Sequence, residues 1–266
     1  NNATFSVTPV SAGNAIILIS FNVTDADGVT TINASKAIVN LTLGTPGFSQ
    51  FRFNVSDAGG EFGTCFNHTQ AGPGSEAARV IINCTILLRY YDNASSNWVI
   101  NISVQDTSGQ IGRNDTVTFT INTLSSLSLP YAAINFSSVF LNQQDVAATL
   151  PLVLNNTGNE DFDEINISAA ALFGTTVTSE TIAITQFFVN ITDVTAGKGR
   201  QLEAKAVTLN ETTGTNADLI HGHTSAFAPN ADKGNRSVFF WVDVPSSGLS
   251  SQLYNATWNV TVINIP

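Results

Sequence analysis

The sequence holds no methionine, only two cysteines, and only ten lysines plus arginines in 266 residues. Charged residues make up 11% of the chain, against about 25% in an average soluble domain. The formal balance is −10. So few cations argue against a nucleic-acid partner, which needs clustered Lys and Arg to release counterions. They argue equally against an anionic membrane surface. No segment approaches the ~20 consecutive apolar residues of a membrane-spanning helix. No serine sits in a nucleophile-elbow pattern, and no glycine-rich loop has the spacing that cradles phosphate. The twenty acidic residues fall mostly in turns. An enzyme is not expected. The chain opens at Asn1 without an initiator methionine, as expected of a secreted protein whose signal peptide has been removed. No lipidation or anchor tail is expected after Pro266.

What the chain does contain is alternation. Val80, Ile82, Cys84 and Ile86 alternate with Ile81, Asn83, Thr85 and Leu87, and a polar turn, 92–97, follows. Trp98, Ile100, Ile102 and Val104 then alternate with Val99, Asn101, Ser103 and Gln105. Side chains on a strand point to opposite faces with period two, so residues 79–109 read as two antiparallel strands joined in a hairpin, with Cys84 and Trp98 inward.

The same pattern covers the whole chain. Strands are expected at 4–10, 15–24, 37–43, 50–56, 79–90, 97–105 and 115–122, separated by turns such as Asp25-Ala26-Asp27-Gly28 and Ala71-Gly72-Pro73-Gly74. Seven short strands without a helical period is the profile of an immunoglobulin-like sandwich. The second half repeats it at 134–141, 147–154, 165–172, 182–192, 201–209, 237–244 and 256–263. The expected fold is all-β, two tandem immunoglobulin-like β-sandwich domains at 1–124 and 125–266, with 123–130 as a short connection. Residues 210–235 form a long polar loop of the kind that binds something or decorates a surface.

A β surface with so little charge should aggregate unless something else solvates it. Asn-x-Ser/Thr glycan acceptors supply that something. There are eighteen, at Asn2, Asn22, Asn33, Asn40, Asn54, Asn67, Asn83, Asn93, Asn101, Asn114, Asn135, Asn155, Asn166, Asn190, Asn210, Asn235, Asn255 and Asn259. Chance placement of the 28 Asn and 55 Ser plus Thr would give about six. In half of them the middle residue is apolar, as in Asn101-Ile102-Ser103, so the Asn and the hydroxyl share the solvent face of a strand while the middle residue enters the core.

Cys65 and Cys84, nineteen positions apart, read as one structural disulfide. Closing a loop of that size stabilises by roughly 3 kcal/mol in the chain-entropy model. Asp25 and Asp27 alternate before Gly28 like the start of a calcium loop, without the later oxygen ligands; an Asx turn ending a strand is the competing reading. The acidic run Asn159-Glu160-Asp161-Phe162-Asp163-Glu164 is read as a solvated connection, with calcium as the alternative. His221 and His223 have no identifiable third zinc ligand, and His68 lies inside an acceptor triplet. No cofactor is expected beyond that calcium. Trp98, Trp241 and Trp258 fall on alternating runs, which favours core packing over sugar stacking.

Phe21-Asn22-Val23-Thr24-Asp25-Ala26-Asp27-Gly28-Val29, with Asn101-Ile102-Ser103-Val104-Gln105-Asp106-Thr107-Ser108-Gly109, resembles the paired strand ends of immunoglobulin-like domains in archaeal cell-surface proteins. Leu154-Asn155-Asn156-Thr157-Gly158-Asn159 and the run from Leu253 to Val262 resemble a second such module. The resemblance implies an extracellular archaeal glycoprotein in a surface layer, an appendage or an adhesin. The chain departs from archaeal type IV pilins in lacking their long apolar N-terminal helix. Phe5, Val7 and Pro9 alternate with Thr4, Ser6 and Thr8, so residues 1–10 can lay an apolar stripe into a neighbour's sheet. The expected function is a subunit of an extracellular filament, a homopolymer joined head to tail by that donor strand, with the C-terminal strand 256–263 as the other candidate donor, and coated with N-linked glycans. A surface-layer subunit, or an adhesin or carbohydrate-binding module, is the alternative.

Overall fold

The structure, a computed structural model, describes residues 5–26, 28–45, 48–53, 65–67, 79–193, 199–203, 207–209 and 234–263. The chain is all-β and divides into two compact units, one running to Ser125 and one starting at Ser126.

The first unit contains β1 (Ser6–Val7), β2 (Asn14–Val23), β3 (Ile32–Thr45), β4 (Phe48–Phe53), β5 (Cys65–Asn67), β6 (Val80–Arg89), β7 (Ser95–Asp106) and β8 (Ile111–Ile121). They form one sheet in the order β1-β8-β7-β3-β4 and another in the order β2-β6-β5. Val80, Ile82, Cys84, Ile86 and Leu88 of β6 are buried, and so are Trp98, Ile100 and Val104 of β7. With Val39, Leu41, Phe119 and Ile121 they make one apolar cluster to which both sheets contribute. The alternating pattern therefore fixes which side chains of each strand leave water.

It does not fix which strands pair. The expected hairpin between β6 and β7 is absent: β6 pairs with β2 and β5, and β7 with β3 and β8. The chain crosses from one sheet to the other between them. Two strands with the same inward alternation bury their apolar faces equally well side by side or face to face, and here they meet across the core. The crossing is held by the fully buried Asp92, whose carboxylate accepts from Arg89 N at 2.9 Å. Tyr90 N donates to Gly13 O at 3.1 Å, and Trp98 Nε1 to Asn93 O at 2.9 Å.

Other departures have local causes. β3 begins at Ile32, well before the expected strand, because a register shift between Asn33 and Ile38 lets the ladder continue to Asp106. β5 has no counterpart among the expected strands, since three residues are too few to show a period. β1 keeps only two residues of the expected run 4–10.

The second unit contains β9 (Leu127–Ser128), β10 (Val146–Ala147), β11 (Leu152–Asn156), β12 (Glu164–Ser168), β13 (Leu172–Gly174), β14 (Thr181–Ile182), β15 (Phe187–Asn190), β16 (Arg200–Gln201), β17 (Val207–Leu209), β18 (Asn235–Val242), β19 (Tyr254–Asn255) and β20 (Asn259–Ile263). The principal sheet runs β16-β15-β18-β11-β9, with β10 also on β18. Smaller sheets run β17-β12-β20 and β14-β13-β19. Leu152, Leu154, Phe187, Val238 and Phe240 of the first meet Ile165 and Ile167 of the second in one core.

The strand expected at 134–141 is absent. Ile134, Phe136 and Val139 pack against the core from irregular backbone, so alternation here reports burial without a ladder. The strand expected at 147–154 is two strands, broken at Pro151, which has no N–H to donate. The connection expected at 123–130 carries β9, paired with β11. Nearly all of the long loop 210–235 lies outside the described residues.

Candidate functional site

Strand β1 is the first candidate. It pairs in parallel with β8 at the edge of its sheet, Ser6 opposite Thr120 and Val7 opposite Ile121. Thr120 N donates to Phe5 O at 3.0 Å and Asn122 N to Val7 O at 2.8 Å. Asn122 Nδ2 donates to Thr8 Oγ1 at 2.9 Å. The Phe5 ring lies almost flat on Phe119, with centroids 5.1 Å apart and planes 14° from parallel. Two apolar side chains, Phe5 and Val7, packed on the core, and a minimal ladder thus hold the strand. The link to β2 is a tight turn in which Gly13 N donates to Val10 O at 2.9 Å. Ala12 sits at φ 52°, the left-handed region that an L-residue with a Cβ enters at a cost of about 1–2 kcal/mol.

The acceptor asparagines are the second candidate. Asn22, Asn114, Asn135, Asn235, Asn255 and Asn259 are exposed. Asn33, Asn40, Asn93, Asn101, Asn155, Asn166 and Asn190 are half-buried. Asn83 lies on the outer face of β6, with Ile81 and Thr85, but is not open to solvent there. At 8% exposure it is buried, and its Oδ1 accepts from Ser20 Oγ at 2.6 Å across the β2–β6 ladder. Asn2, Asn54 and Asn210 lie outside the described residues, as does the side chain of Asn67.

Pairing brings several acceptors together in a way the sequence does not reveal. Asn40 is directly opposite Asn101, and Asn155 directly opposite Asn235. Asn166 faces Thr261 while Asn259 faces Ser168, so these two triplets run antiparallel with each Asn against the other's hydroxyl residue. Asn101 Nδ2 donates to Thr42 Oγ1, the hydroxyl of the neighbouring triplet, at 2.8 Å. Asn114 Oδ1 accepts from both N and Oγ1 of Thr116 at 3.1 Å, and Asn190 Oδ1 from Thr192 N at 3.1 Å. These Asx turns are local, dictated by the triplet itself.

Cys65 and Cys84 stand opposite each other on β5 and β6, joined as a disulfide with Cα atoms 4.0 Å apart. The bond links neighbouring strands of one sheet. The Asp25 carboxylate accepts from Thr31 Oγ1 at 2.8 Å, and Gly28 N donates to Asp25 O at 3.3 Å, with Gly28 at φ 106°. Asp27 lies outside the described residues, as do His68, His221 and His223. Among the described residues no three His, Cys, Asp or Glu side chains converge as metal ligands. In the run 159–164, Asn159 and Phe162 are buried, so the segment is part of the fold rather than a solvated connection. Trp98 and Trp241 are buried; Trp258 is half-buried, edge-on to Phe187 at 5.1 Å, with Nε1 donating to Ala170 O at 2.8 Å.

Sequence reasoning missed Glu180. Its Oε2 accepts from Tyr254 Oη at 2.6 Å, Ser250 N at 2.8 Å, Ser250 Oγ at 2.7 Å and Gln252 Nε2 at 2.7 Å. Gln252 Oε1 accepts in turn from the N–H groups of Thr176 and Val177. The carboxylate staples the β13–β14 turn to the segment before β19. These donors, the Tyr254 hydroxyl first, hold its pKa at about 2, below the usual 4.5. A depressed pKa gives stability that is complete above the unfolded value and is lost as pH falls through the folded one. The difference in melting temperature between wild type and Glu180→Gln is therefore expected to be constant from pH 7 to 5 and to narrow between pH 4.5 and 2. A difference that is flat over that acid range would show that the staple does not form.

No family model and no curated protein matches the chain. Among solved structures, the chain is similar to one described as "Chaperone-tip adhesin complex is vital for synergistic activation of CFA/I fimbriae biogenesis". That likeness has 9% identity and a TM-score of 0.40, and it covers 98% of this chain and 96% of that chain.

Proposed function

We propose that this chain is a structural, non-catalytic subunit of an extracellular filament of the archaeal-surface type, glycosylated on its strand faces and joined head to tail by exchange of β1. The observation that carries the reading is the attachment of β1. A strand held by two residues of edge ladder and by the apolar side chains of Phe5 and Val7 makes the same contacts in a neighbour's sheet as in its own. Leaving the tight turn also relieves Ala12 at φ 52°. A short hinge under strain invites such exchange. The contact is heterologous, and repeated without closure it gives a fibre.

Two tandem immunoglobulin-like domains, 1–124 and 125–266, are part of the proposal. In the first unit the order β2-β6-β5 against β1-β8-β7-β3-β4 parallels the B-E-D and G-F-C arrangement of such sandwiches. Its disulfide joins neighbours within one sheet, where antibody domains bridge two.

Deleting residues 1–10 tests assembly. The truncated chain is expected to fold, to form no filaments by negative-stain microscopy, and to accept a peptide of those ten residues, which also blocks growth of the intact chain. Filaments from the truncated chain would refute strand exchange. A monomer that binds glycans or cells would point to an adhesin instead.

Glycopeptide mapping of native material tests the coat. More than half of the eighteen sites are expected to be occupied, with sugar at exposed Asn22, Asn114, Asn135, Asn235, Asn255 and Asn259 and none at buried Asn83. Bare asparagine at Asn101, Asn166 and Asn259 alike would refute it.

A further inference from the structure

From the edge of β2 we infer a second interaction surface, which pairs antiparallel with β2 of another copy of this chain. Among the described residues β2 hydrogen-bonds to β6 alone and ends its sheet. It is ten residues long and pairs with β6 in register throughout, without a bulge. Natural sheets blunt their edges by keeping them short, by charge, by proline or by a bulge. The other edges of this unit follow that rule: β1 has two residues, β5 three, and β4 six with Arg52 within it. β2 has none of these guards. Its outer face also carries Ile16 and Leu18 at 72% and 58% exposure.

Charge and sequence favour a second copy as the occupant. The span 14–23 holds no Asp, Glu, Lys or Arg, so two molecules of net charge −10 meet there without opposing like charges. Strand pairing must keep inward residues inward, which restricts self-pairing to whole-residue centres. Centring on Ile17 sets Ile16 against Leu18 of the second copy and Leu18 against its Ile16, so each exposed apolar side chain covers another. Ala15 then meets Ile19 on the core side, and Asn14 meets Ser20. The paired span is 14–20, which leaves the acceptor Asn22 outside it and free to carry sugar. The contact is isologous and closes as a dimer. It is smaller than the roughly 1,200 Å² of a stable interface, so association is reversible and concentration-dependent. Nothing in it uses β1, and it stands whether or not β1 is exchanged.

Sedimentation of the intact chain over a concentration series tests it. In the fraction not polymerised into filaments, the wild type is expected to show a monomer–dimer equilibrium, and an Ile16→Lys/Leu18→Lys double variant, with an unchanged melting curve, a dissociation constant raised about tenfold or more by facing cations and lost apolar pairs. Mixing Ile16→Cys with Leu18→Cys copies should give a disulfide-linked dimer more readily than either alone. Deleting residues 1–10 should leave this dimer intact while removing filaments. An unpolymerised fraction that stays monomeric throughout, or a dimer in that fraction that survives the double variant, would overturn the pairing. Self-association lost with residues 1–10 would assign it to β1 and overturn it equally.

Discussion

Phe119→Ala is expected to cost the first unit about 3–5 kcal/mol, as truncation of a fully buried phenylalanine does. Phe119 has no exposed surface, and it touches Phe5 on one side and Trp98 on the other, with centroids 5.1 and 6.1 Å apart. The neighbours are held by separate backbones, the residue before β1 and strand β7, so the cavity cannot collapse without moving one of them. Denaturant unfolding would read the loss directly. Phe5 is only half-buried, and Phe5→Ala should cost less. The double variant should then show a coupling of about 0.5–1.5 kcal/mol from the ring pair. A Phe119→Ala loss below about 1 kcal/mol would mean that Phe119 does not anchor the core. Zero coupling would mean that β1 is not docked on β8.

Asn156→Leu is the second large effect, about 2–5 kcal/mol, and its origin is polar. Asn156 is 2% exposed; its Nδ2 donates to Glu160 O at 2.7 Å and its Oδ1 accepts from Gly158 N at 3.0 Å. Beside it, Thr157 N donates to Ser126 O at 3.0 Å. Leucine matches the volume but leaves the half-buried Glu160 carbonyl and the buried Gly158 N–H without this partner, at roughly 1–3 kcal/mol for each group that water does not reach. Asn156→Asp separates the two bonds. The carboxylate still accepts from Gly158 N but sets an anion against the Glu160 carbonyl, so it too should destabilise, and less at low pH, where it protonates. Equal stability of Asn156→Leu and wild type would show that this turn is not held by the amide.

The residue Asn156 also marks how far local sequence reaches. Asn156, Thr157 and Gly158 in succession are turn formers that bond to their own backbone, a signal carried by the sequence itself. That Thr157 would be buried against Ser126 was not, since the partner lies 31 positions away. The same holds for the acceptors. An Asx turn such as Asn114 to Thr116 follows from the triplet, whereas the burial of Asn83 depends on the strands either side of it.

The sequence by itself determined the all-β class, the inward faces of the long strands, and the low charge and acceptor excess of the surface. These follow from composition and from period-two alternation, which are local. Only the tertiary structure decided that β6 and β7 lie in different sheets, that β1 is a two-residue parallel edge, and that Glu180 gathers Tyr254, Ser250 and Gln252. Each is a choice of partner between segments far apart in the chain. Alternation says which side of a strand leaves water; it is the same for every partner that can cover that side, so the choice is made by how all the faces pack at once.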